Sequence, residues 1–392
     1  MFSVFSVFSV VSEKENALEY RMPEERALKL STSRHSDGDV RISAIDIGSN
    51  SIRQIIADVS PAGAIRVVDE MKAAPRLGAG LHANGRLSDE AMDEAIAVLS
   101  RMASLAEQLG AKRTRVVATS AVRDADNGSE WLARVREETG LRVIIVSGEE
   151  EARLGFRSAV AHFDLATGRA VVMDIGGGSL EVALSAGGLV DRLISLPLGT
   201  LRLTERFLSK GATPAAIRKL RRKVRKLLRD ELSAREWHGA QIIGSGGTFT
   251  NLGGIMLARQ GLHTARSPHG TIVSRADLEH VVSWLGSLSE EERRSVPGLN
   301  PARADIIVAG LAVAAEMLAR IEAGGLTVSS YGIREGILLD LARVSPAPAD
   351  HGEARDRSVR DLAERSHYEK PHSHQVQRLA LQLREQQART LE

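Results

Sequence analysis

The chain has 392 residues, with 52 Lys and Arg against 50 Asp and Glu, 43% hydrophobic residues and no cysteine. This balance is globular and excludes an intrinsically disordered chain; at roughly 100–200 residues per domain it suggests two domains. It also excludes a disulfide framework, a thiolate zinc site and a thiol nucleophile, while no run of ~18 apolar residues is present to span a membrane and 3% aromatic residues are too few for a base-stacking nucleic-acid binder. The expectation is a soluble, cytoplasmic α/β protein with neither membrane nor nucleic acid as a partner.

Met1–Val11 (MFSVFSVFSVV) repeats a three-residue unit with no preceding basic residue, so it does not read as a signal peptide. Residues 1–40 are expected to be a disordered leader, ending in the polar linker Ser31–Asp39. Regular patterning begins with a strand at Arg41–Asp46, then strands at Ser51–Val59 and Ala64–Met71 around a Pro61-Ala62-Gly63 turn, as in antiparallel hairpins. A helix follows over Ser88–Leu109, with Ala91, Ala95, Val98, Met102 and Leu105 on one face. A strand at Arg115–Thr119, a helix near Ser129–Thr139, a strand at Leu141–Val146 and a helix from Glu149 complete the first half.

The order then repeats. Strands at Ala170–Asp174, Leu180–Ser185 and Leu189–Leu196 precede helices at Leu201–Leu208 and Ala215–Glu236, a strand at Gln241–Gly244, and helices at Thr248–Arg259 and Ala302–Ala323. Two β-β-β-α-β-α halves imply two actin-like (ribonuclease-H-like) domains facing a cleft, where ligands favour binding. The predicted boundaries are 41–166 and 167–345, with the last helix of the second domain able to pack back on the first.

Each half carries a carboxylate at a strand end followed by a small-residue turn. Asp46-Ile47-Gly48-Ser49-Asn50-Ser51 is the first and Asp174-Ile175-Gly176-Gly177-Gly178-Ser179 the second. Glycines let an anion approach the backbone N–H groups, and Ser and Asn add donors. Either turn alone reads equally as a hairpin; three successive glycines weaken a sheet unless something must approach the main chain. Together the turns could hold a phosphate chain from both sides, and Asp46 and Asp174 could hold Mg²⁺ or another divalent metal.

Gly244-Ser245-Gly246-Gly247-Thr248 is a third glycine-rich turn that opens a helix, where N–H groups point at an anion; a plain helix start explains it as well. Arg123 follows a strand end and suits phosphate, although a surface arginine is the default reading. In Ser147-Gly148-Glu149-Glu150-Glu151-Ala152 the first two glutamates are explained by helix capping and the dipole. The third is not, and an ionised Glu151 at the cleft mouth could orient and deprotonate water. Arg218–Arg229 holds eight basic residues in twelve over an apolar stripe; a solvated face and a path for a polyanion both fit it. Tyr331–Gly336 reads as domain packing.

IDIGSNS (Ile45–Ser51), ATSAVRDADN (Ala118–Asn127), SGEEEARLGF (Ser147–Phe156), MDIGGGSLE (Met173–Glu181), GSGGT (Gly244–Thr248) and YGIREG (Tyr331–Gly336) occur in that order. Together they resemble the exopolyphosphatase / guanosine pentaphosphate phosphohydrolase family over roughly residues 41–345. The resemblance implies an actin-like two-domain fold and hydrolysis of a terminal phosphate from inorganic polyphosphate or guanosine pentaphosphate. It also implies a divalent metal, a homodimer, Glu151 as catalytic base and Asp174 as metal ligand, with Asp46 beside it. Phosphates would be held by Gly48, Ser49, Asn50, Ser51, Arg123, Gly176, Gly177, Gly178 and Ser179, with Glu181, Gly246, Gly247 and Thr248 lining the site. Leu180 departs from the family pattern, where a threonine is usual. Residues 346–392 look like a linker and the truncated start of a His-Asp helical domain, through Ser358–Ala363 and His372–Ala380; a polar helix start explains His372 and His374. A kinase of the same fold, and a non-catalytic polyphosphate-binding or actin-like scaffold, are the rival classes.

Overall fold

The computed structural model describes residues 38–165, 168–262 and 266–344, with isolated residues between 369 and 382. Residues 1–37, Ser358–Ala363 and His374 lie outside the described residues; His372 is exposed in a short helical stretch, residues 371–373.

The first lobe opens with strands β1 (Val40–Ile47), β2 (Ile52–Val59) and β3 (Ile65–Ala73), joined antiparallel. Alternation along β1 sends Ile42 and Ala44 into one apolar cluster and Ile45 and Ile47 into another, so both faces of this sheet are covered. Helix α1 (Asp89–Gln108) starts where the Ser88 side chain accepts from the Ala91 N–H, with Asp89 and Glu90 at the positive end of its dipole. Its stripe of Met92, Ala95, Ile96, Leu99 and Met102 packs under the sheet. Strand β4 (Arg113–Ala118), helix α2 (Gly128–Thr139), strand β5 (Val143–Ile145) and helix α3 (Gly148–His162) follow. The strand order is β3-β2-β1-β4-β5, with β1, β4 and β5 parallel.

The second lobe repeats the plan. Strands β6 (Arg169–Ile175), β7 (Leu180–Ala186) and β8 (Leu189–Leu196) are antiparallel neighbours. Helix α4 (Pro214–Glu231), strand β9 (Gln241–Ser245) and helix α5 (Gly247–Arg259) come next. Strand β10 (Ile272–Ser274), helices α6 (Arg275–Ser287) and α7 (Ile307–Arg320), strand β11 (Gly325–Val328) and helix α8 (Ile333–Leu341) complete it. The order β8-β7-β6-β9-β11 matches that of the first lobe, with β10 added at the edge. These are the two α/β sheets of facing actin-like lobes.

Each lobe lends a helix to the other. Phe156 and Ala159 of α3 share a core with Val172, Ala183 and Ile243, whereas Ile337, Leu338 and Leu341 of α8 pack with Ile42, Ala44 and Ile55. Three elements differ from the sequence expectation. The Ala215–Glu236 helix stops at Glu231, because Leu232 and Trp237 turn into the core and break the helical path. Leu201–Leu208 is an α turn at Thr200–Leu203 followed by a π-helical turn at Thr204–Leu208. The Ala302–Ala323 helix is divided into a 3-10 turn at Pro301–Arg303 and α7, which lets Arg303 point away from the helix axis into the cleft. Among the described residues no helix is long and apolar enough to cross a membrane.

Candidate active site

The strand ends of β1 and β6 carry the same four-residue turn. Gly48 N–H donates to the Ser51 carbonyl at 3.1 Å, and Gly176 N–H donates to the Ser179 carbonyl at 3.0 Å. The two turns press directly against one another. A Cβ on Gly177 would lie 2.8 Å from the Ser49 Cβ and 3.0 Å from the Asn50 nitrogen, so only glycine permits this approach. The Ser49 and Ser120 hydroxyls lie 2.9 Å apart beside that contact.

Between the lobes lies a cavity of about 100 Å³. It is lined by Asp46, Gly48, Ser49, Asn50 and Ser51 from the first turn, and by Asp174, Gly176, Gly177 and Ser179 from the second. Glu151, from the first turn of α3, and Gly246 and Gly247, at the start of α5, close it. Gly246 has φ +84°, and a Cβ there would sit 2.2 Å from the Asp174 Oδ1; glycine is what lets the helix N-terminus and the carboxylate share this corner. The sequence-derived candidates therefore converge, with four exceptions. Arg123 stands behind Glu151, donating to the Val146 carbonyl at 2.9 Å with its Nη1 3.6 Å from the Glu151 Oε2. Thr248 is buried and donates its hydroxyl to the Ile175 carbonyl. Gly178 faces Ser120 at the contact between the turns. Glu181 lies in an adjoining cavity of about 20 Å³, shared with Glu151 and Asp174. Leu180, the departure from the family pattern, is buried in the core of the second lobe.

Sequence reasoning missed Arg53, Arg303 and the Tyr331–Glu335 segment, all of which line the cavity. Tyr331–Gly336 was expected to be packing alone. The segment does pack, since a Cβ on Gly336 would meet the Leu154 carbonyl oxygen at 2.1 Å, yet it also walls the site. Arg53 carried a usable signal: a charged residue on a strand whose other positions are nearly all buried. Arg303 carried none, because the break before α7 is what aims it inward.

Five carboxylates, Asp46, Glu151, Asp174, Glu181 and Glu335, meet four arginines, Arg53, Arg123, Arg303 and Arg334, around this corner. Burial pushes Asp46 up to about 6, opposed chiefly by Arg53. Asp174 is also raised by burial, although Arg53 and a hydrogen bond from the Ser245 hydroxyl at 3.2 Å oppose this. Glu181 is pushed up to about 8 by burial, against hydrogen bonds from Ser179 and Ser195. Glu151 lies well above the usual carboxylate range through burial, then through repulsion by Glu181 and Asp46. The buried Asp46 Oδ1 and Glu151 Oε2 have no hydrogen-bond partner. On the positive side, the buried Arg303 is lowered to about 10, and its Nε is likewise unpartnered. Buried atoms without a hydrogen bond, on groups of both charges around one cavity, point to a ligand carrying an anion and a cation together.

The donor set fits a hard divalent cation of the Mg²⁺ type. Such an ion takes one or two carboxylates and fills its remaining positions with water and phosphate oxygens. The orphaned Asp46 oxygen and Asp174 supply that number. Among the described residues, no group of three or more His, Asp or Glu side chains forms a closed metal cage.

A model of the Ppx/GppA phosphatase family matches residues 55–344. The chain is 35% identical over 321 residues to "Exopolyphosphatase 2" of Mycobacterium tuberculosis, spanning 77% of this chain and 98% of that protein. It is 28% identical over 333 residues to "Exopolyphosphatase 1" of Mycobacterium leprae, spanning 82% and 94%. Among solved structures, the Aquifex aeolicus Ppx/GppA family member aligns with a TM-score of 0.66 at 30% identity, covering 78% of this chain and 98% of that one. An exopolyphosphatase from Cytophaga hutchinsonii aligns with a TM-score of 0.71 at 25% identity, covering 78% and 99%.

Proposed function

The chain belongs to the Ppx/GppA phosphatase family of phosphoanhydride hydrolases, and from that premise we propose that it is an exopolyphosphatase. The observation that carries this reading is the buried Glu151, which lines a cavity floored by two Gly-Ser turns and whose Oε2 accepts no hydrogen bond, with the Arg123 Nη1 3.6 Å from it.

In this reading the terminal phosphoryl group sits between the turns. Backbone N–H groups of Ser49–Ser51 and Gly177–Ser179, and those opening α5, donate to its oxygens, while the Gly48 and Gly176 N–H groups close the two turns. Arg53 and Arg303 neutralise the charge on the phosphoryl oxygens and on the leaving end of the chain. Glu151 accepts a proton from a water aligned opposite the scissile bond. The water oxygen bonds to phosphorus, the bridging P–O bond breaks, and its electron pair leaves with the shortened chain. Arg123 orients Glu151 from behind. A carboxylate held above its ordinary range is a better base than one at its ordinary value, provided enough of it is ionised. Asp46 and Asp174 would hold a divalent metal, which when bound supplies Lewis-acid neutralisation of developing phosphoryl charge. Positioning and electrostatics carry such reactions.

Guanosine pentaphosphate presents the same terminal group and forms the second arm of the test. Phosphate release from long-chain polyphosphate and from guanosine pentaphosphate is measured with and without Mg²⁺. Faster kcat/KM on polyphosphate supports the proposal; release from guanosine pentaphosphate alone, or from neither, rejects it.

A further inference from the structure

Helix α4 carries its basic residues in two classes. Arg221 and Arg225 are tied to acidic side chains: the half-buried Arg221 donates to Glu279 of α6 and to the buried Glu316 of α7, and the exposed Arg225 also donates to Glu316. With Leu220, Val224 and Leu228, which are buried, they attach the helix to the lobe. Arg218, Lys219, Arg222, Lys223, Lys226 and Arg229 form the outer face; all are exposed except the half-buried Lys223. Among the described residues none of these six has an ion-pair partner. None lines the cavity between the lobes.

This outer face is electrostatically unfavourable as it stands. Arg218 and Arg222, Lys219 and Lys223, and Arg222 and Lys226 are like charges one turn apart, a spacing that destabilises a helix. Only Arg221 and Arg225 are paired with acidic side chains of the lobe. The outer residues therefore offer about 16 Å of continuous positive surface along the helix, at 1.5 Å per residue. We propose that the outer face of α4 is a second docking site for the substrate, holding the body of a long polyphosphate chain while its end occupies the cavity. This rests on the polyphosphate reading above and extends it to chain length.

The chemistry of the face favours an inorganic polyanion over a nucleic acid. Helix α4 has no aromatic residue on which a base could stack and no Asn or Gln to read a base edge. Tethering the chain at a second point raises the effective concentration of its end at the cavity. A chain too short to reach both places gains nothing.

The test is a variant with Arg218, Lys219, Arg222 and Lys226 each replaced by Gln, a residue of comparable helix propensity. KM is expected to rise about tenfold for polyphosphate of several hundred units, with kcat and KM for tripolyphosphate unchanged. The slope of log KM against log salt should fall by about 3, at ~0.7 per lost contact to a flexible polyanion. An unchanged long-chain KM, or an equal rise for both substrates, overturns the proposal. Arg221→Gln is the contrast: it should lower Tm while leaving the salt slope intact, and a slope that falls equally there also overturns it. Equilibrium binding of long-chain polyphosphate to wild type and to the quadruple variant separates the two readings. If wild type releases no phosphate but the variant still loses tenfold in binding, the hydrolytic reading fails and the docking site stands. If binding is equal, or if single-stranded DNA binds wild type more tightly than polyphosphate does, the docking site falls.

Discussion

The hairpins β1–β2 and β6–β7 occupy the same place in their lobes, yet they bring different charges to the cleft. In the first, the cleft carboxylate Asp46 is paired across the ladder with Arg53. In the second, Asp174 is paired at the equivalent position with Glu181. One scaffold thus yields a charge-balanced Asp–Arg pair in the first lobe and a pair of carboxylates in the second. The repeated topology explains where the site is; the residue opposite each aspartate determines what each side can hold.

Glu151, which comes from neither hairpin, feels both and is the sharpest place to break this arrangement. Glu151→Gln should reduce kcat for phosphate release by about 10²- to 10⁴-fold, the usual contribution of a positioned base. Glu149→Gln and Glu150→Gln should remain near wild type, because those carboxylates serve the helix start. Tm should hold or rise in Glu151→Gln, since a crowded buried charge is removed. A fully active Glu151→Gln enzyme would remove the base from the mechanism.

Changing the partner of each aspartate tests the comparison directly. Arg53→Gln should raise KM about ten- to hundredfold, the value of hydrogen bonds to a charged group. Because Arg53 opposes the raised values of Asp46 and Asp174, its loss also moves the acid limb of the pH–rate profile upward. Glu181→Gln should do the reverse. Its charge helps to raise Glu151, so the neutral amide lets Glu151 ionise at lower pH and moves the acid limb downward. Shifts in the same direction would show that the two hairpins do not divide the work by charge.

Stability provides a weaker but independent reading. Asp46 is raised from 3.8 to about 6 and Glu181 from 4.5 to about 8. Between these limits the native state binds more protons than the unfolded chain, so stability is fully present below about pH 4 from these groups and declines as pH rises toward 8. Without divalent metal, Tm should fall across that window; Asp46→Asn should flatten the lower part, and Mg²⁺ should flatten the whole. A metal-free Tm that rises from pH 5 to 8 would contradict the crowding of the carboxylates.

Much of this was legible in the sequence wherever the cause was local. The Asp-Ile-Gly turns, the Ser88-capped helix and the Glu151 helix start each carry their own signal in a few consecutive residues. Strands β10 and β11 were not legible, because three or four residues cannot display a period. Arg303 was not legible either, since it reaches the cavity only through the break before α7 and lies far along the chain from Asp46. The Tyr331–Glu335 segment was read as packing because packing is the default for a strand-to-helix junction. It serves both ends because α8 crosses to the first lobe and must pass the cleft to get there.

The smallest expected effect concerns how the unlike lobes are held together. Arg76 meets Asp305 at 2.5 Å, Arg202 meets Asp124 at 2.6 Å, and Gly80 N–H donates to Glu205 at 3.0 Å, all across the cleft. Arg76 holds a φ of +54°, uncommon for a non-glycine residue, in the loop that makes this reach. The Arg76 side chain is 40% exposed, so the pair belongs with surface ion pairs worth ~0–1 kcal/mol. Asp305→Ala should therefore change kcat/KM less than about fivefold at low salt, and the difference from wild type should disappear at high salt as screening weakens the pair in the parent. If opening limits product release, kcat rises slightly while KM rises with it; if closure limits capture, KM rises alone. A loss approaching that of Arg53→Gln would mean that Asp305 acts through Arg303, two residues away, and that the lobes are joined by the site itself rather than by its rim.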